Sequence, residues 1–332
     1  MEQRKSEHIN LALKTQTADI EKDSRFAYEP LLKAHPSDHL PQIPIGNKML
    51  MAPLWISSMT GGTSKAGVIN NNLARLAAEF GLGMGLGSCH VLLRNEKHLP
   101  DFDLREKIGH DRPFYANMGI AQIEAFIHKA DVKSIKDLVQ LLKADGLIVH
   151  VNPLQEWLQP EGDRILHPPV ETIAELMRQA DFPLIVKEVG QGMGKESLRA
   201  LLKLPLAAIE FGAFGGTNFA KLELLRDESQ GKGLLEPLSY IGETAYEMTQ
   251  HINQLIREGA VVNTQSLIPS GGIKNFLDGY HLIETSKLPA AFGMASTLLK
   301  YAQEDYQSLK KFTQTQLEGL KLAYTYLSVH EF

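Results

Sequence analysis

The stretch Trp55-Ile56-Ser57-Ser58-Met59-Thr60-Gly61-Gly62-Thr63 decides the fold of this chain. It ends an apolar run, residues 49–56, that we predict to be a buried strand. Small and hydroxyl-bearing residues follow at once. Such a strand end offers backbone N–H groups and hydroxyls with little side-chain bulk, which suits a flat polar ligand laid against the main chain. An ordinary strand-to-helix loop has a similar composition, so this stretch alone leaves both interpretations open.

The same pattern recurs at seven further apolar runs, each of which ends in small, polar or reactive residues. These ends are Ser88, Asn117, His150, Lys187, the 212–217 segment, Ser270 and Gly293. Helical patterns, for example at residues 69–80 and 172–180, alternate with the runs, and this alternation predicts a parallel sheet. Eight polar strand ends on one face are typical of a (β/α)8 TIM barrel, whose active site lies there. We therefore predict an α/β protein with this fold.

Three segments extend the minimal barrel. We expect residues 1–47 to form an N-terminal arm that packs on the barrel or reaches over its mouth, and residues 48–332 to form the barrel itself. The long loop after the sixth strand, residues 217–237, exceeds a tight connection, so we interpret it as a mobile insertion or lid over the C-terminal face. Residues 303–327 predict one long helix that closes the barrel or serves a subunit contact.

Composition excludes several classes of protein. The 332 residues carry a net charge of −5, which argues against a nucleic-acid partner. Cys89 is the only cysteine, so no internal disulfide forms, and this fits a reducing cytoplasm. The charged N-terminus has no apolar run behind it, and no stretch reaches the roughly 18 apolar residues of a membrane span. We expect a cytoplasmic protein with no membrane partner.

The loops after the seventh and eighth strands carry a predicted phosphate site. Gly271 and Gly272 follow the seventh strand, and Met294 and Ala295 follow the eighth. In this fold the two loops commonly bind phosphate through backbone N–H groups and a short helix N-terminus. The alternative is that the glycines serve only the turns.

Six further residues could carry chemistry. Lys187 should point into the barrel mouth, where its charge needs an anionic partner, either a ligand or a neighbouring carboxylate. His150 is either a proton donor or a satisfied core histidine. Glu156 could hold a divalent cation beside a phosphorylated substrate, or it could be a surface residue. Arg4, with Lys5 and His8, is a solvated terminus unless a diphosphate lies nearby.

Taken in order, these motifs resemble the type 2 isopentenyl-diphosphate delta-isomerase family, the flavin-dependent form of that enzyme. The matching positions are Arg4-Lys5-x-x-His8, Ser58-Met59-Thr60-Gly61-Gly62-Thr63, Gly87-Ser88, Ala116-Asn117, His150-x-Asn152-Pro153-Leu154-Gln155-Glu156, Val186-Lys187-Glu188-Val189-Gly190, Gly215-Gly216-Thr217 and Ser270-Gly271-Gly272-Ile273. They extend over most of the chain. The second and fifth of these motifs are specific, whereas the lysine and Ser-Gly-Gly elements are shared with other FMN barrels.

The resemblance implies a complete site. FMN would contact Ser58, Met59, Thr60, Ser88, Asn117, Lys187 and Thr217, with its phosphate on Gly271, Gly272, Met294 and Ala295. The diphosphate substrate would be bound by Arg4, Lys5, His8, Ser88, His90, Asn152 and Gln155. Gln155 and His150 would be the catalytic residues, and Glu156 would bind Mg²⁺. The family reduces its flavin, commonly with NADPH, and the resemblance also implies a homo-oligomer, a tetramer or octamer.

The chain departs from the family pattern at the diphosphate site. The family usually has Gly-Ser-Gln-Arg after the second strand, and here the sequence is Gly87-Ser88-Cys89-His90, so an imidazole replaces an arginine fork. Residues 240–244 also differ from the family's Trp-Gly-Ile-Pro-Thr. Two alternatives therefore stay open. One is an FMN-dependent 2-hydroxy acid oxidase or dehydrogenase on the same fold, although no His or Arg follows the seventh strand. The other is a flavin-binding paralogue that is not an isomerase.

Overall fold

The computed structural model describes residues 2–58, 64–226 and 232–330. Its centre is a parallel barrel of eight strands. These strands are β4 (Leu54–Ile56), β5 (Gly83–Gly85), β6 (Phe114–Gly119), β7 (Gly146–Val151), β8 (Leu184–Glu188), β9 (Ala208–Glu210), β10 (Ser266–Ile268) and β11 (Phe292–Met294). Neighbours along the chain pair in parallel, and β11 pairs with β4. Isolated parallel bridges between Leu267 and Ala290 and between Ser270 and Gly293 close the ring, so the predicted TIM barrel is confirmed.

Helices surround the barrel and bury their apolar faces on it. They are α2 (Ser64–Phe80), α3 (Arg105–Ile108), α4 (Ile120–His128), α5 (Val132–Leu141), α6 (Pro153–Leu158), α7 (Pro169–Gln179), α8 (Lys195–Leu202), α9 (Phe219–Arg226), α10 (Ala245–Arg257), α11 (Phe276–Thr285), α12 (Ser296–Glu304) and α13 (Tyr306–Tyr326), preceded by the N-terminal helix α1 (Glu2–Ala12). Short 3-10 helices lie at Asp19–Glu21, His90–Leu93, Glu96–Asp101 and Lys232–Tyr240. No helix in the described ranges has the length and hydropathy needed to span a bilayer.

The first predicted strand begins later than the apolar pattern indicated. Residues 48–50 form β3 (Lys48–Leu50), which pairs in antiparallel fashion with β2 (Ile43–Ile45), and the barrel strand starts only at Leu54. Ile43 and Ile45 pack into the barrel interior in one apolar cluster with Trp55, Tyr115 and Ile148. The hairpin therefore covers one end of the barrel core. Residues 49 and 50 are apolar, as those of a longer barrel strand would be, so the sequence pattern could not distinguish the two.

The arm and the C-terminus meet on the outside of the barrel. Strand β1 (Phe26–Tyr28) pairs in antiparallel fashion with β12 (Leu327–Val329). Helix α1, in contrast, is exposed along its described side chains. The division of the chain near residue 47 falls in the turn of the β2–β3 hairpin and stays a prediction.

One predicted segment has more structure than expected, and another matches its prediction. The insertion after the sixth barrel strand contains α9 and the 3-10 helix Lys232–Tyr240, so it is not an open loop; residues 227–231 lie outside the described residues. Apolar burial of Ala220 and the carboxylate contacts of Glu223 hold α9 in place. The predicted long helix over residues 303–327 is confirmed as α13, which begins only at Tyr306 because Asp305 adopts an extended conformation and caps it through the Ser308 amide.

Candidate active site

A cleft opens at the carboxyl ends of the barrel strands and collects many of the predicted residues. Its lining includes Ser58, Lys187, Thr217, Gly271, Gly272, Met294 and Ala295. These residues come from five different strand ends, which only closure of the barrel brings together. The predicted Met59 and Thr60 lie outside the described residues.

One wall of the cleft is a glycine-bearing cradle. Gly271 and Gly272 have φ angles of 91° and 75°, which L side chains rarely adopt. A Cβ on Gly271 would lie 2.2 Å from the carbonyl oxygen of Ala213, so the close approach of the two loops requires glycine there. Beside it, α12 begins at Ser296 after Ala295, and no side chain caps its first turn. Backbone amides at a helix N-terminus beside bare loops make a good anion site.

The opposite wall carries a buried cation. The Nζ atom of Lys187 donates to the backbone oxygen of Ser58 at 3.1 Å and lies 3.9 Å from Oε1 of Glu210. Glu210 is fully buried, and neither of its carboxylate oxygens accepts a hydrogen bond from the described part of the chain. The Oγ atoms of Ser57 and Ser58 are likewise unsatisfied within the described ranges. Buried polar groups usually have partners, so these atoms indicate a place for a polar ligand.

His150 lies next to Lys187 across the β7–β8 pair and is partly buried. Its Nδ1 and the Oδ1 of Asn117 are 2.7 Å apart, and Asn117 Nδ2 donates to the Leu86 carbonyl at 2.8 Å, which fixes the amide so that the histidine nitrogen is the donor. Burial, together with the charge of Lys187, lowers the pKa of His150 to about 4. The imidazole is therefore neutral at pH 7, and because its Nδ1 proton is donated to Asn117, its Nε2 atom is a hydrogen-bond acceptor in a fixed tautomer.

A second polar cluster follows β7 on α6. Asn152 Nδ2 donates to Gln155 Oε1 and to Glu156 Oε1, both at 3.1 Å. The Nε2 atom of Gln155 in turn donates to Glu223 Oε1 on α9 at 3.1 Å. Both ends of the Gln155 amide are thus held, and Glu223 is itself buried and paired with Arg226. This cluster can orient a ligand beside Gln155 without itself being flexible.

Glu156 is 7% exposed and has a defined orientation. Its Oε2 atom accepts a hydrogen bond from the backbone amide of Asp163 at 2.8 Å, and its Oε1 accepts the bond from Asn152. An ionised carboxylate has about four acceptor positions, so two hydrogen bonds leave room for a cation. Held carboxylates of this kind are typical of metal ligands with ordered outer contacts.

The predicted diphosphate residues are not brought into the cleft. Arg4, Lys5 and His8 lie on the exposed helix α1, and no described residue of α1 lines the cleft. Ser88 is exposed after β5, and His90 is half-buried with its ring edge-on to Phe126 at 6.3 Å. Burial, and secondarily the Arg94 charge, lowers the pKa of His90. Their roles stay predictions.

Two acidic residues of this region were missed in the sequence analysis. Glu210 ends a barrel strand, and Glu223 lies on α9, in a segment interpreted as a loop. Glu210 had a detectable signal, since a charged residue directly after a buried apolar run must face the barrel mouth or pair inside it. Glu223 had no such signal in the sequence, because its role depends on the contact with Gln155, 68 positions away along the chain.

Comparisons with known proteins indicate the family and the fold of the chain. No protein-family model matches the chain. It is 33% identical over 330 residues to the isopentenyl-diphosphate delta-isomerase of Rickettsia akari, covering 96% of this chain and 91% of that protein. It is 36% identical over 275 residues to the Rickettsia felis protein of the same name, covering 83% and 76% of the two chains.

Solved structures share the fold at low sequence identity. The flavin-binding domain of baker's yeast flavocytochrome b2 superimposes with a TM-score of 0.63 at 9% identity, covering 90% of this chain and 71% of that one. A mandelate oxidase with (S)-mandelic acid superimposes with a TM-score of 0.56 at 11% identity, covering 93% and 88%. At such identity the likeness extends to the barrel alone.

Proposed function

The chain belongs to the isopentenyl-diphosphate delta-isomerase family, and from that premise we propose that it interconverts isopentenyl diphosphate and dimethylallyl diphosphate. The proposed reaction uses reduced FMN and Mg²⁺, with NADPH as the reductant. The observation that carries the proposal is the meeting, in one cleft, of an anion cradle with a buried lysine and, beside that lysine, a neutral histidine.

The cleft fits FMN on three structural grounds. Gly271 and Gly272 leave main-chain space for its phosphate next to the α12 N-terminus. The unsatisfied hydroxyls of Ser57 and Ser58 supply hydrogen-bonding groups along the wall. Lys187 places a positive charge where a flat ring would lie. When bound and reduced, the flavin supplies an electron-rich ring and a nitrogen, N5, that can exchange a proton.

The rearrangement requires one proton to be added at the terminal alkene carbon and another to be removed from the allylic methylene, which lies between the alkene and the carbon that bears the diphosphate. His150 is neutral and Gln155 is an amide, so neither is a strong acid at pH 7. We assign them to positioning: His150 presents the lone pair of a fixed Nε2 atom, since its Nδ1 proton is donated to Asn117, and Gln155 is held at both ends by Asn152 and Glu223. Exact placement of the reacting carbons lowers the barrier without a chemical change in these residues.

Lys187 has an electrostatic role in this scheme. Its ammonium group lies in a poorly solvated site, where it stabilises an anionic ring far more than it would in water. Oxidised flavin is neutral, so it would gain less electrostatic stabilisation from Lys187. Lys187 therefore favours the reduced cofactor.

Glu156 fits a role as the protein ligand of Mg²⁺. Mg²⁺ is commonly held by one or two carboxylates together with substrate phosphates. We propose that Glu156 contributes one oxygen and the diphosphate the others, so that the cation anchors the group that does not react.

The proposed function is tested by measuring the conversion of isopentenyl diphosphate directly. Purified protein is incubated anaerobically with isopentenyl diphosphate, FMN, NADPH and Mg²⁺, and dimethylallyl diphosphate is measured after omission of each component in turn. We expect product only in the complete mixture, and Glu156→Gln should lose most of the activity at saturating Mg²⁺. Full turnover in excess chelator would refute the metal role.

The alternatives have their own outcomes in the same assay. Oxidation of (S)-mandelate or lactate with flavin reduction, and no isomerisation, would identify a 2-hydroxy acid oxidase. Flavin binding without either reaction would identify a paralogue. The chain's own residues disfavour the oxidase, because Lys274 follows Ser270-Gly271-Gly272-Ile273 where such enzymes need a histidine or arginine.

A further inference from the structure

Three metal-ligand side chains converge on the outside of the barrel, away from the cleft. Glu124 and His128 lie on α4, and His167 lies in the segment that leads into α7. One ligand atom from each lies within 4.8 Å of the other two. Nε2 of His128 is 3.4 Å from Nδ1 of His167, which is 2.7 Å from Oε1 of Glu124.

The convergence follows from local structure. Glu124 and His128 are four residues apart on one helix, so they project from the same face. The backbone amides of Leu166 and His167 donate to the two carboxylate oxygens of Glu124 at 2.9 and 2.7 Å, which brings His167 to that face. Glu124 is 4% exposed, whereas His128 and His167 are exposed. The cluster is therefore anchored at its buried carboxylate and open to solvent on the histidine side.

Hydrogen bonding does not use all three groups. If the Nδ1 proton of His167 points to Glu124, then His167 has no lone pair at Nδ1 for His128, and the 3.4 Å approach of the two nitrogens is left without a good hydrogen bond. A cation removes this conflict. With the His167 proton on Nε2, two imidazole nitrogens and one carboxylate oxygen, all within 4.8 Å of one another, each offer a lone pair to a cation.

We propose that Glu124, His128 and His167 form a transition-metal site that takes Zn²⁺, with water in the fourth position. Two imidazoles and one carboxylate suit Zn²⁺, whereas Mg²⁺ and Ca²⁺ prefer oxygen. Tetrahedral Zn–N bonds of about 2.0–2.1 Å place two nitrogens about 3.3 Å apart. The observed 3.4 Å between His128 and His167 matches this spacing. Nδ1 of His167 and Oε1 of Glu124 are 2.7 Å apart, which is shorter than the roughly 3.3 Å between two ligands of a tetrahedral Zn²⁺. The exposed ring of His167 would therefore move away from Glu124 by about 0.6 Å when Zn²⁺ binds.

A metal here would tie the connection between α6 and α7 to α4. That connection also carries Asp163, whose backbone amide donates to Glu156 and whose carboxylate accepts from Gln122 of α4 at 2.7 Å. The same segment is thus attached to α4 at two places and to Glu156 at a third. The proposed Zn²⁺ would be a structural clamp that steadies the surroundings of Glu156, and it is separate from the Mg²⁺ proposed there.

The test uses untagged, substrate-free protein, so its outcome does not depend on the isomerase proposal. After treatment with EDTA and desalting, Zn²⁺ is added, and bound metal is measured by mass spectrometry after gel filtration. The dissociation constant is obtained by competition with a chromophoric chelator. We expect one tightly bound Zn²⁺ per chain. His128→Gln and His167→Gln should each raise the dissociation constant at least about tenfold, because each removes one of three protein ligands.

The matched control is His110→Gln. His110 is an exposed histidine 3.6 Å from Glu106, a pair with no third ligand in the described structure, so this variant should bind Zn²⁺ as wild type does. At equal Zn²⁺ concentration, the rise in Tm should be smaller in the two site variants than in the wild type and the control. Equal Zn²⁺ affinity in all four proteins, or no retained Zn²⁺ in the wild type, would overturn the proposal. Tm in EDTA, expected to be equal for all four, shows that the variants fold.

Discussion

The buried pair of Lys187 and Glu210 allows a quantitative prediction. In Lys187→Met, Glu210 would keep its position with no counter-charge and no hydrogen-bond donor among the described residues. Two unit charges 3.9 Å apart interact by about 4 kcal/mol at an effective dielectric constant of about 20. Removal of one partner of a buried pair typically costs about 3–5 kcal/mol. The two values agree, so we expect the variant to lose about 3–5 kcal/mol of unfolding free energy.

The assay is thermal unfolding of protein freed of any bound flavin, since a ligand would add its own stabilisation. The unfolding entropy is about 2.1 cal/mol/K per residue, so for 332 residues the loss corresponds to about 4–7 °C in Tm. Lys187→Met/Glu210→Gln should recover more than half of this loss, because no buried charge remains. It should not recover isomerisation, since the ammonium group is still absent.

The control is the same substitution at a surface pair. Lys195 binds Glu258 at 2.9 Å in solvent, so Lys195→Met should leave Tm near the wild-type value. Wild-type Tm in Lys187→Met, or a double variant no more stable than the single one, would refute the reasoning about an uncompensated charge.

Three further predictions follow from the same region. Gly272→Asp should strongly lower the ratio of bound flavin to protein, because aspartate is strained at a φ of 75° and places a negative charge at the phosphate. The control Gly194→Asp lies in open space at the start of α8 and should retain flavin. Equal ratios of flavin to protein in the two variants would refute the phosphate assignment. The folded-state pKa of His150 is about 4 against about 6.5 unfolded, so stability present above pH 6.5 is lost, by up to about 3 kcal/mol, as pH falls toward 4. Urea midpoints from pH 7.5 to 4.5 should fall less steeply in His150→Gln, and parallel curves would count against a buried neutral histidine. If His90 contacts the diphosphate, His90→Arg should lower KM for isopentenyl diphosphate by about tenfold at pH 8. It should also flatten the rise of KM between pH 6 and 9, because only the protonated imidazole attracts phosphate. Superimposable KM profiles of the wild type and the variant would place the substrate elsewhere.

Local sequence patterns were enough to predict the barrel and the position of much of the cleft lining. Its eight apolar runs with polar ends predicted strands whose carboxyl ends share one face, and the glycines at 271 and 272 predicted the cradle. This worked because strand periodicity and glycine are local signals: a buried strand must be apolar over its own length, and a positive φ demands glycine at its own position. Lys187 was predictable for the same reason, since a charge at the end of a buried strand must face the mouth.

The tertiary structure alone decided the contacts between distant segments. The apolar residues 49 and 50 matched a strand, but whether they continued the barrel strand or formed a hairpin depended on the packing of Ile43 and Ile45 against Trp55. The partners of Gln155 and Lys187, namely Glu223 and Glu210, come from other strands and helices, as does His167 beside Glu124. Such pairs have no sequence spacing that marks them, because burial and hydrogen bonding between segments arise only when the barrel closes and its loops are brought together.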